Sequence, residues 1–321
     1  MTMNRAWLVT GATGFVGRHL LQALRADGEP IRALVRDPAV SLPEGVDRHV
    51  GDLTDPRSLS GIGEGVRGVF HLAGYAHTMH PDAALARRIN VEGTRYLLAA
   101  LMDSGAPPLV FASSVKATGH HPRDCLDEAA DTPPDGLYGR LKREAEALVL
   151  DYGRETGAHV AILRPALVYG PGVKGNLAAM REAVCRGRFP PLPETGQCRS
   201  LVDVRDLAAA LRLAMARPEA GGRVYHVTDG ECYSTRRLHE AFARACGRPL
   251  PRLTVPLWAL RLGARLGDLL EHLTGRSLPL DSGVYARLTE SACYEAHRIR
   301  HELGFTPRWR FEKAVLEEAE T

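Results

Sequence analysis

Short apolar runs alternate with longer amphipathic stretches through the first two thirds of the chain. The runs Trp7–Thr10, Ile31–Val35, Gly68–Leu72, Leu109–Ser113, Val160–Leu163 and Val224–Val227 are too short for helices and rich in β-branched and aromatic residues, which predicts strands. Between them, apolar residues recur every three or four positions over Gly14–Ala26, Ala83–Ser104, Leu137–Thr156, Leu177–Arg186, Val204–Ala216 and Thr235–Cys246, which predicts helices. Strand–helix alternation of this kind predicts an α/β fold: a Rossmann-type, doubly wound parallel sheet with helices on both faces.

Beyond Pro165 the pattern breaks into shorter pieces at Gly170-Pro-Gly172, Pro190-Pro-Leu-Pro193 and Gly221-Gly222. We read residues 1–170 as a dinucleotide-binding domain, rejoined by residues 201–228. Residues 171–200 and 229–321 form a smaller, mostly C-terminal α/β substrate domain. Leu253–Leu273 is rich in Leu, Trp and Arg. That composition also suits a helix lying on a membrane surface, but Pro256 and the spaced arginines favour a helix packed on the body of the protein.

The first predicted strand runs straight into Gly11-Ala-Thr13-Gly14-Phe15-Val16-Gly17 and then a helix. Glycines permit a tight turn and close backbone approach to a pyrophosphate, and the helix N-terminus supplies free N–H groups and a favourable dipole. Strand before and helix after is the context such a loop requires. The second strand ends at Arg36-Asp37. An acid here suits the ribose hydroxyls of NAD, whereas an arginine suits the extra phosphate of NADP. Arg36, with Arg18 nearby, places NADP ahead of NAD, although Asp37 could still serve a ribose.

Composition narrows the partners. The chain has 321 residues, with 41 Lys and Arg against 38 Asp and Glu, so no basic excess argues for nucleic acid. There is no run of eighteen apolar residues and no signal-peptide core before the glycine loop. The six cysteines match no zinc spacing. They are expected to be buried small residues or surface thiols in a reducing, cytoplasmic setting, with no metal and no membrane. His77, His80, His120 and His121 are expected to line loops rather than to bind metal.

Tyr138 and Lys142 lie four residues apart on a predicted helix, so their side chains share a face. A phenol is a weak base near neutrality, and a neighbouring ammonium favours its phenolate. Ser113-Ser114 closes the fourth strand, where ligands bind in open α/β sheets.

In this order the chain resembles the extended short-chain dehydrogenase/reductase family, near its NAD(P)-dependent nucleotide-sugar epimerases, dehydratases and reductases. The resemblance rests on Thr10-Gly-Ala-Thr-Gly-Phe-Val-Gly17, Asp52-Leu53, His71-Leu72-Ala73-Gly74, Asn90-Val-Glu-Gly-Thr94, Ser113-Ser114, Tyr138-x-x-x-Lys142 and Arg164-Pro165. It implies Ser114, Tyr138 and Lys142 as the catalytic set. It implies a cofactor site of Gly11, Thr13, Gly14, Phe15, Val16, Gly17, Arg36, Asp52, Leu53, Leu72, Ala73, Gly74, Asn90, Ser113, Tyr138, Lys142 and Pro165, with Asn90 mainly fixing the active-site helix. Leu163–Asn176 and Arg199–Asp206 resemble nucleotide-sugar enzymes, so Asn176 and Arg199 are expected near the diphosphate and nucleotide of the substrate, and Ser114 on its reacting oxygen. A UDP-sugar is expected ahead of a GDP-sugar, and a homodimer is implied. Dehydratases carry an Asp-Glu pair where Val115-Lys116 stand here, which argues against dehydration. The reading is hydride transfer at sugar C4, by a 4-epimerase or a 4-ketosugar reductase. The alternatives are an NADPH-dependent reductase of a non-sugar ketone and a non-catalytic NAD(P)-sensing regulator.

Overall fold

A computed structural model describes residues 5–76, 82–121, 124–250, 254–274 and 281–320. The strands are β1 (Ala6–Thr10), β2 (Ile31–Val35), β3 (Val46–Val50), β4 (Val66–His71), β5 (Leu109–Ala112), β6 (Val160–Pro165), β7 (Leu167–Tyr169), β8 (Leu201–Asp203) and β9 (Arg223–Val227). The helices are α1 (Phe15–Ala26), α2 (Ala83–Arg87), α3 (Gly93–Met102), α4 (Gly136–Thr156), α5 (Asn176–Cys185), α6 (Val204–Ala216), α7 (Thr235–Ala245), α8 (Leu257–Thr274), α9 (Ser282–Thr289), α10 (His297–Leu303) and α11 (Phe311–Glu320).

Seven parallel strands form the main sheet in the order β3-β2-β1-β4-β5-β6-β9. The order reverses between β1 and β4, which opens a crevice at the C-terminal strand ends. Side chains alternate between two apolar layers. Val9, Phe70, Val110 and Leu163 pack with α1 and α6 on one face. Leu8, Val69, Phe111 and Ile162 pack with α3 and α4 on the other. Burial on both faces is why these strands read as continuous apolar runs.

The remaining residues build a second, smaller core. β7 pairs with β8, and Tyr169, Tyr233, Phe242 and Phe311 cluster beside them. The Phe311 ring meets those of Tyr169 and Phe242 edge-on, with centroids 5.2 and 5.1 Å apart. After β8 the chain returns through α6 and β9 to the main sheet.

Three differences from the sequence reading have physical causes. β3 was not expected because Val-Asp-Arg-His-Val is an edge strand with little burial, so it lacks the apolar run of a central strand. The helix expected over Ala83–Ser104 is broken by a π-turn at Arg88–Glu92 and ends at Met102. That turn carries Asn90, and such insertions in a helix often mark functional positions. The cysteines, expected to be free, are paired as Cys125–Cys293, Cys185–Cys246 and Cys198–Cys232. Spacing along the chain could not show this, since the partners lie 168, 61 and 34 residues apart. The argument for a reducing compartment that rested on free thiols falls with it.

Candidate active site

Six of the seven strands of the main sheet end at or just before a residue singled out in the sequence. Gly11 follows β1, Arg36 follows β2, Asp52 follows β3, Leu72–Gly74 follow β4, Ser113 and Ser114 follow β5, and Pro165 closes β6.

The glycine loop is a cradle that β-carbons would fill. Gly11 has φ +68°, and a β-carbon there would lie 2.7 Å from the backbone nitrogen of Ala73. A β-carbon on Gly17 would strike the carbonyl oxygen of Gly11. Gly14 caps α1 without a side-chain partner, so the first N–H groups of the helix, those of Phe15 and Val16 among them, face the crevice mouth free of a side-chain cap. Thr13 and Gly14 are exposed at its rim. Such a cradle, with a helix N-terminus beneath it, fits the pyrophosphate of a dinucleotide.

A chain of buried hydrogen bonds joins β1, β4 and the π-turn. Ala73 N donates to Thr10 Oγ1 at 3.2 Å, and Thr10 Oγ1 lies 2.7 Å from His71 Nδ1. His71 Nε2 lies 2.9 Å from Thr94 Oγ1, which donates to Asn90 O at 2.8 Å. Because the Thr94 proton is used on Asn90, His71 donates from Nε2 and accepts at Nδ1, so its ring is neutral. Burial, aided by the Lys142 charge, pushes its pKa down to about 3. Asn90 completes the chain by accepting from Tyr75 N at 2.9 Å and donating to Tyr75 O at 3.1 Å. Its amide therefore clamps the loop after β4, a positioning role.

Lys142 is almost fully buried, and its Nζ donates to Ala112 O at 2.8 Å. The ammonium lies 4.5 Å from the Phe111 ring centroid and 5.9 Å from that of Tyr138. A β-carbon on Gly74 would come within 3.3 Å of the same nitrogen, so glycine leaves the ammonium its room. Burial pulls the Lys142 pKa down to about 8. Burial also pushes the half-buried Tyr138 phenol up to about 12. The sequence reading expected the ammonium to favour the phenolate. In the protein by itself desolvation wins, and Tyr138 is held as a neutral acid.

Ser114 caps a short 3-10 turn, its Oγ accepting from Lys116 N at 3.3 Å. Accepting that bond leaves its own proton available to a substrate oxygen. Gly139, in the first turn of α4, packs so closely on this turn that a β-carbon would collide with Lys116 O. Asp135 N, just before α4, donates to the same oxygen at 2.8 Å. This contact holds the helix bearing Tyr138 and Lys142 against the turn that begins at Ser114.

One residue of the buried network behind the site was missed. Glu146 lies four residues beyond Lys142 and continues the same helical face. It accepts from the Ser113 hydroxyl and forms a two-point ion pair with Arg164, at 2.8 Å from Nε and 2.5 Å from Nη2. Arg164 Nη1 then reaches Thr118 Oγ1 at 3.1 Å, and Thr118 Oγ1 lies 2.5 Å from His226 Nε2. Ser113 thus turns its hydroxyl away from the crevice into this buried network. The repeat of Tyr, Lys and Glu at intervals of four was the available signal.

The outer residues are placed as follows. Arg36 and Arg18 are exposed near the crevice mouth, while Asp37 Oδ1 accepts from Ala39 N at 2.8 Å within its own turn. Asp52 Oδ1 accepts from Thr54 N at 2.8 Å, and Leu53 is buried. Asn176 is exposed at the start of α5. Arg199 is partly buried, and its Nη2 donates to Glu290 O at 2.9 Å. His120 is exposed and His121 Nδ1 accepts from Asp124 N at 3.0 Å. His77 and His80 lie outside the described residues. The sulfurs of Cys125, Cys198 and Cys293 lie within 4.8 Å of one another, but each is already in a disulfide.

The reversed sheet, the glycine cradle and the Ser114–Tyr138–Lys142 group define an NAD(P)-dependent enzyme of the extended short-chain dehydrogenase/reductase type. The sequence profile of the NAD dependent epimerase/dehydratase family matches residues 7–228, and the chain belongs to that family. UDP-glucose 4-epimerase of Vibrio cholerae is 33% identical over 285 residues, covering 85% of this chain and 86% of that protein. A putative dihydroflavonol 4-reductase of Synechocystis is 32% identical over 323 residues, covering 95% of this chain and 91% of that protein. The crystal structure of Thermotoga maritima UDP-glucose 4-epimerase with UDP-glucose shares the fold, with a TM-score of 0.79 at 22% identity over 98% of this chain and 97% of that one.

Proposed function

We propose that this protein moves hydride at C4 of a nucleotide-linked hexose, and that its reaction is the 4-epimerisation of a UDP-sugar. The observation that carries the reading is a buried lysine, a half-buried phenol and a free hydroxyl donor gathered at the C-terminal ends of β4 and β5, beside a loop shaped for pyrophosphate. Similarity to UDP-glucose 4-epimerase supports the sugar nucleotide. Asn176 and Arg199 are the residues proposed to meet its diphosphate and nucleotide.

Bound NAD(P) would supply the hydride acceptor and donor. The remaining steps fall to the chain itself. The glycine loop and the α1 N-terminus hold the pyrophosphate. Lys142, released from Ala112 O, would hold the nicotinamide ribose. Ser114 donates to the substrate oxygen at C4. Tyr138 gives its phenolic proton to that oxygen as it becomes a hydroxyl, and takes it back in the opposite direction. Taking it back requires the phenol pKa to fall, and the Lys142 ammonium, 5.9 Å from the Tyr138 ring centroid, is the charge proposed to lower it.

A second reading, a 4-ketosugar reductase using NADPH, is favoured by one observation: Arg36 stands exposed where an acid would select NAD. Both readings carry a homodimer. The deciding experiment supplies UDP-glucose or UDP-galactose to the purified protein and follows both sugars by chromatography, with the bound dinucleotide identified after denaturation. Interconversion without added cofactor establishes the epimerase. Consumption of NADPH by a 4-ketosugar, with no interconversion, establishes the reductase. Inertness toward both, with dinucleotide bound, would overturn the sugar-nucleotide assignment.

A further inference from the structure

Helix α8 is apolar on two opposite faces. At about 100° per residue, Leu260, Ala264 and Gly267 fall on one side of the helix, and these are the residues buried against the protein. Trp258, Leu262, Leu266 and Leu269 fall within an arc of about 80° on the other side. These four are 71%, 53%, 52% and 53% exposed. An isolated exposed leucine is ordinary, but a tryptophan and three leucines in one stripe along a single helix are not. The sequence reading expected this segment to pack on the body, and only its inner face does so.

The borders of the stripe select an occupant. Arg261 and Arg265 are exposed along one flank. The acid on that flank, Asp268, is turned to α9, where it accepts from Ser282 N at 2.9 Å and from the Ser282 hydroxyl. The border is therefore cationic. A second copy of the chain laid on this stripe would bring arginines toward arginines, and on that flank Asp268, the one acid of the helix whose side chain is described, is already engaged by Ser282. An anionic bilayer surface offers acyl chains to the leucines, an interfacial level for the indole and phosphates to the guanidinium groups. No helix among the described residues is long and apolar enough to cross a membrane, so the attachment is peripheral. We propose that α8 docks this enzyme on the surface of an anionic lipid bilayer, through Trp258, Leu262, Leu266 and Leu269 with Arg261 and Arg265 at the headgroups.

The test is co-sedimentation of the full chain with extruded vesicles of phosphatidylcholine containing phosphatidylglycerol, against vesicles of phosphatidylcholine alone. The chain is expected to pellet with the anionic vesicles, at least about fivefold more weakly with the neutral ones, and to be released by salt. A Trp258→Ser, Leu262→Ser, Leu266→Ser variant is expected to lose at least about tenfold in vesicle affinity, and Arg261→Glu with Arg265→Glu to lose a comparable factor on anionic vesicles only. Brominated lipid is expected to quench the wild-type tryptophan emission and to leave Trp258→Phe nearly unquenched. Failure of the wild type to bind either vesicle overturns the proposal. So does triple-serine binding equal to wild type, or a halving of the mass of that variant in lipid-free sedimentation, which would make the stripe a contact between copies.

Discussion

A β-carbon on Gly139 would lie only 2.2 Å from the Lys116 carbonyl oxygen. The spacing between the helix of Tyr138 and the turn of Ser114 is therefore set by a missing methyl group. In an unhindered helix, Gly→Ala stabilises by roughly 0.5–1 kcal/mol. Gly139→Ala is expected to destabilise instead, because the collision is with backbone, and to lower kcat by about tenfold or more. Calorimetry and steady-state kinetics on one preparation check both. A variant more stable than wild type with unchanged kcat would remove this contact from the account of the site.

Tyr138→Phe removes the only proton that the phenol can give while keeping the ring against Lys142. Turnover is expected to fall at least about 100-fold, with dinucleotide affinity unchanged within about twofold, measured by fluorescence titration. Activity near wild type would show that another group moves the proton.

Lys142 makes a prediction about stability as well as rate. Its pKa lies near 8 in the folded protein against 10.5 for an unburied lysine. Below pH 8 both states carry the proton and the folded state bears the full cost of the buried charge. Between pH 8 and 10.5 the unfolded state binds more protons, so stability rises with pH. At about 1.36 kcal/mol per pH unit, less about 1 kcal/mol for the bond to Ala112 O, Lys142→Met is expected to be about 2 kcal/mol more stable than wild type at pH 7 without cofactor. It should also be inactive, and it should lack the rise. Denaturant titrations at pH 7 and pH 9 measure both, and a less stable variant at pH 7 would show that the buried ammonium is not a cost.

His71 supplies the opposite limb. Its pKa falls from 6.5 to about 3 on folding, so between those values the unfolded state binds more protons and stability is lost as pH falls from 6.5. His71→Gln is expected to lose about 1–3 kcal/mol at pH 7, because Thr10 and Thr94 lose a fitted partner. Its stability should decline less steeply between pH 6 and pH 4. Parallel acid profiles for the two proteins would contradict a neutral ring at this position.

Arg36→Asp is expected to shift the ratio of affinities from NADP toward NAD by about tenfold or more, since a carboxylate repels the extra phosphate and accepts from the ribose hydroxyls. Isothermal titration with both dinucleotides measures it. An unchanged ratio would make Arg36 an ordinary surface residue.

The central strands were legible because each is buried on both faces and so reads as an apolar run. Ile31–Val35 and Val204–Ala216 were placed to the residue. β3 was not legible, because an edge strand has no such run. The site residues at strand ends were legible because the fold fixes where a loop after a parallel strand must lie. What escaped was everything set by contacts distant in sequence: the Cys125–Cys293 pair, the His71 tautomer, the Glu146–Arg164 bond, and the sign of the Tyr138 shift. Sequence places an ammonium near a phenol, but only the packing shows that desolvation outweighs it.

The return of the chain to β9 after the substrate-side core has a consequence for dissecting the protein. A fragment ending near residue 200 would hold the glycine loop and the whole catalytic group, yet β6, whose residues are all buried, would be left as a bare rim of the sheet. Unpaired, apolar strand edges adhere to one another. Such a fragment would aggregate before it could bind dinucleotide, so the cofactor half of this enzyme cannot be excised and transplanted as an N-terminal module.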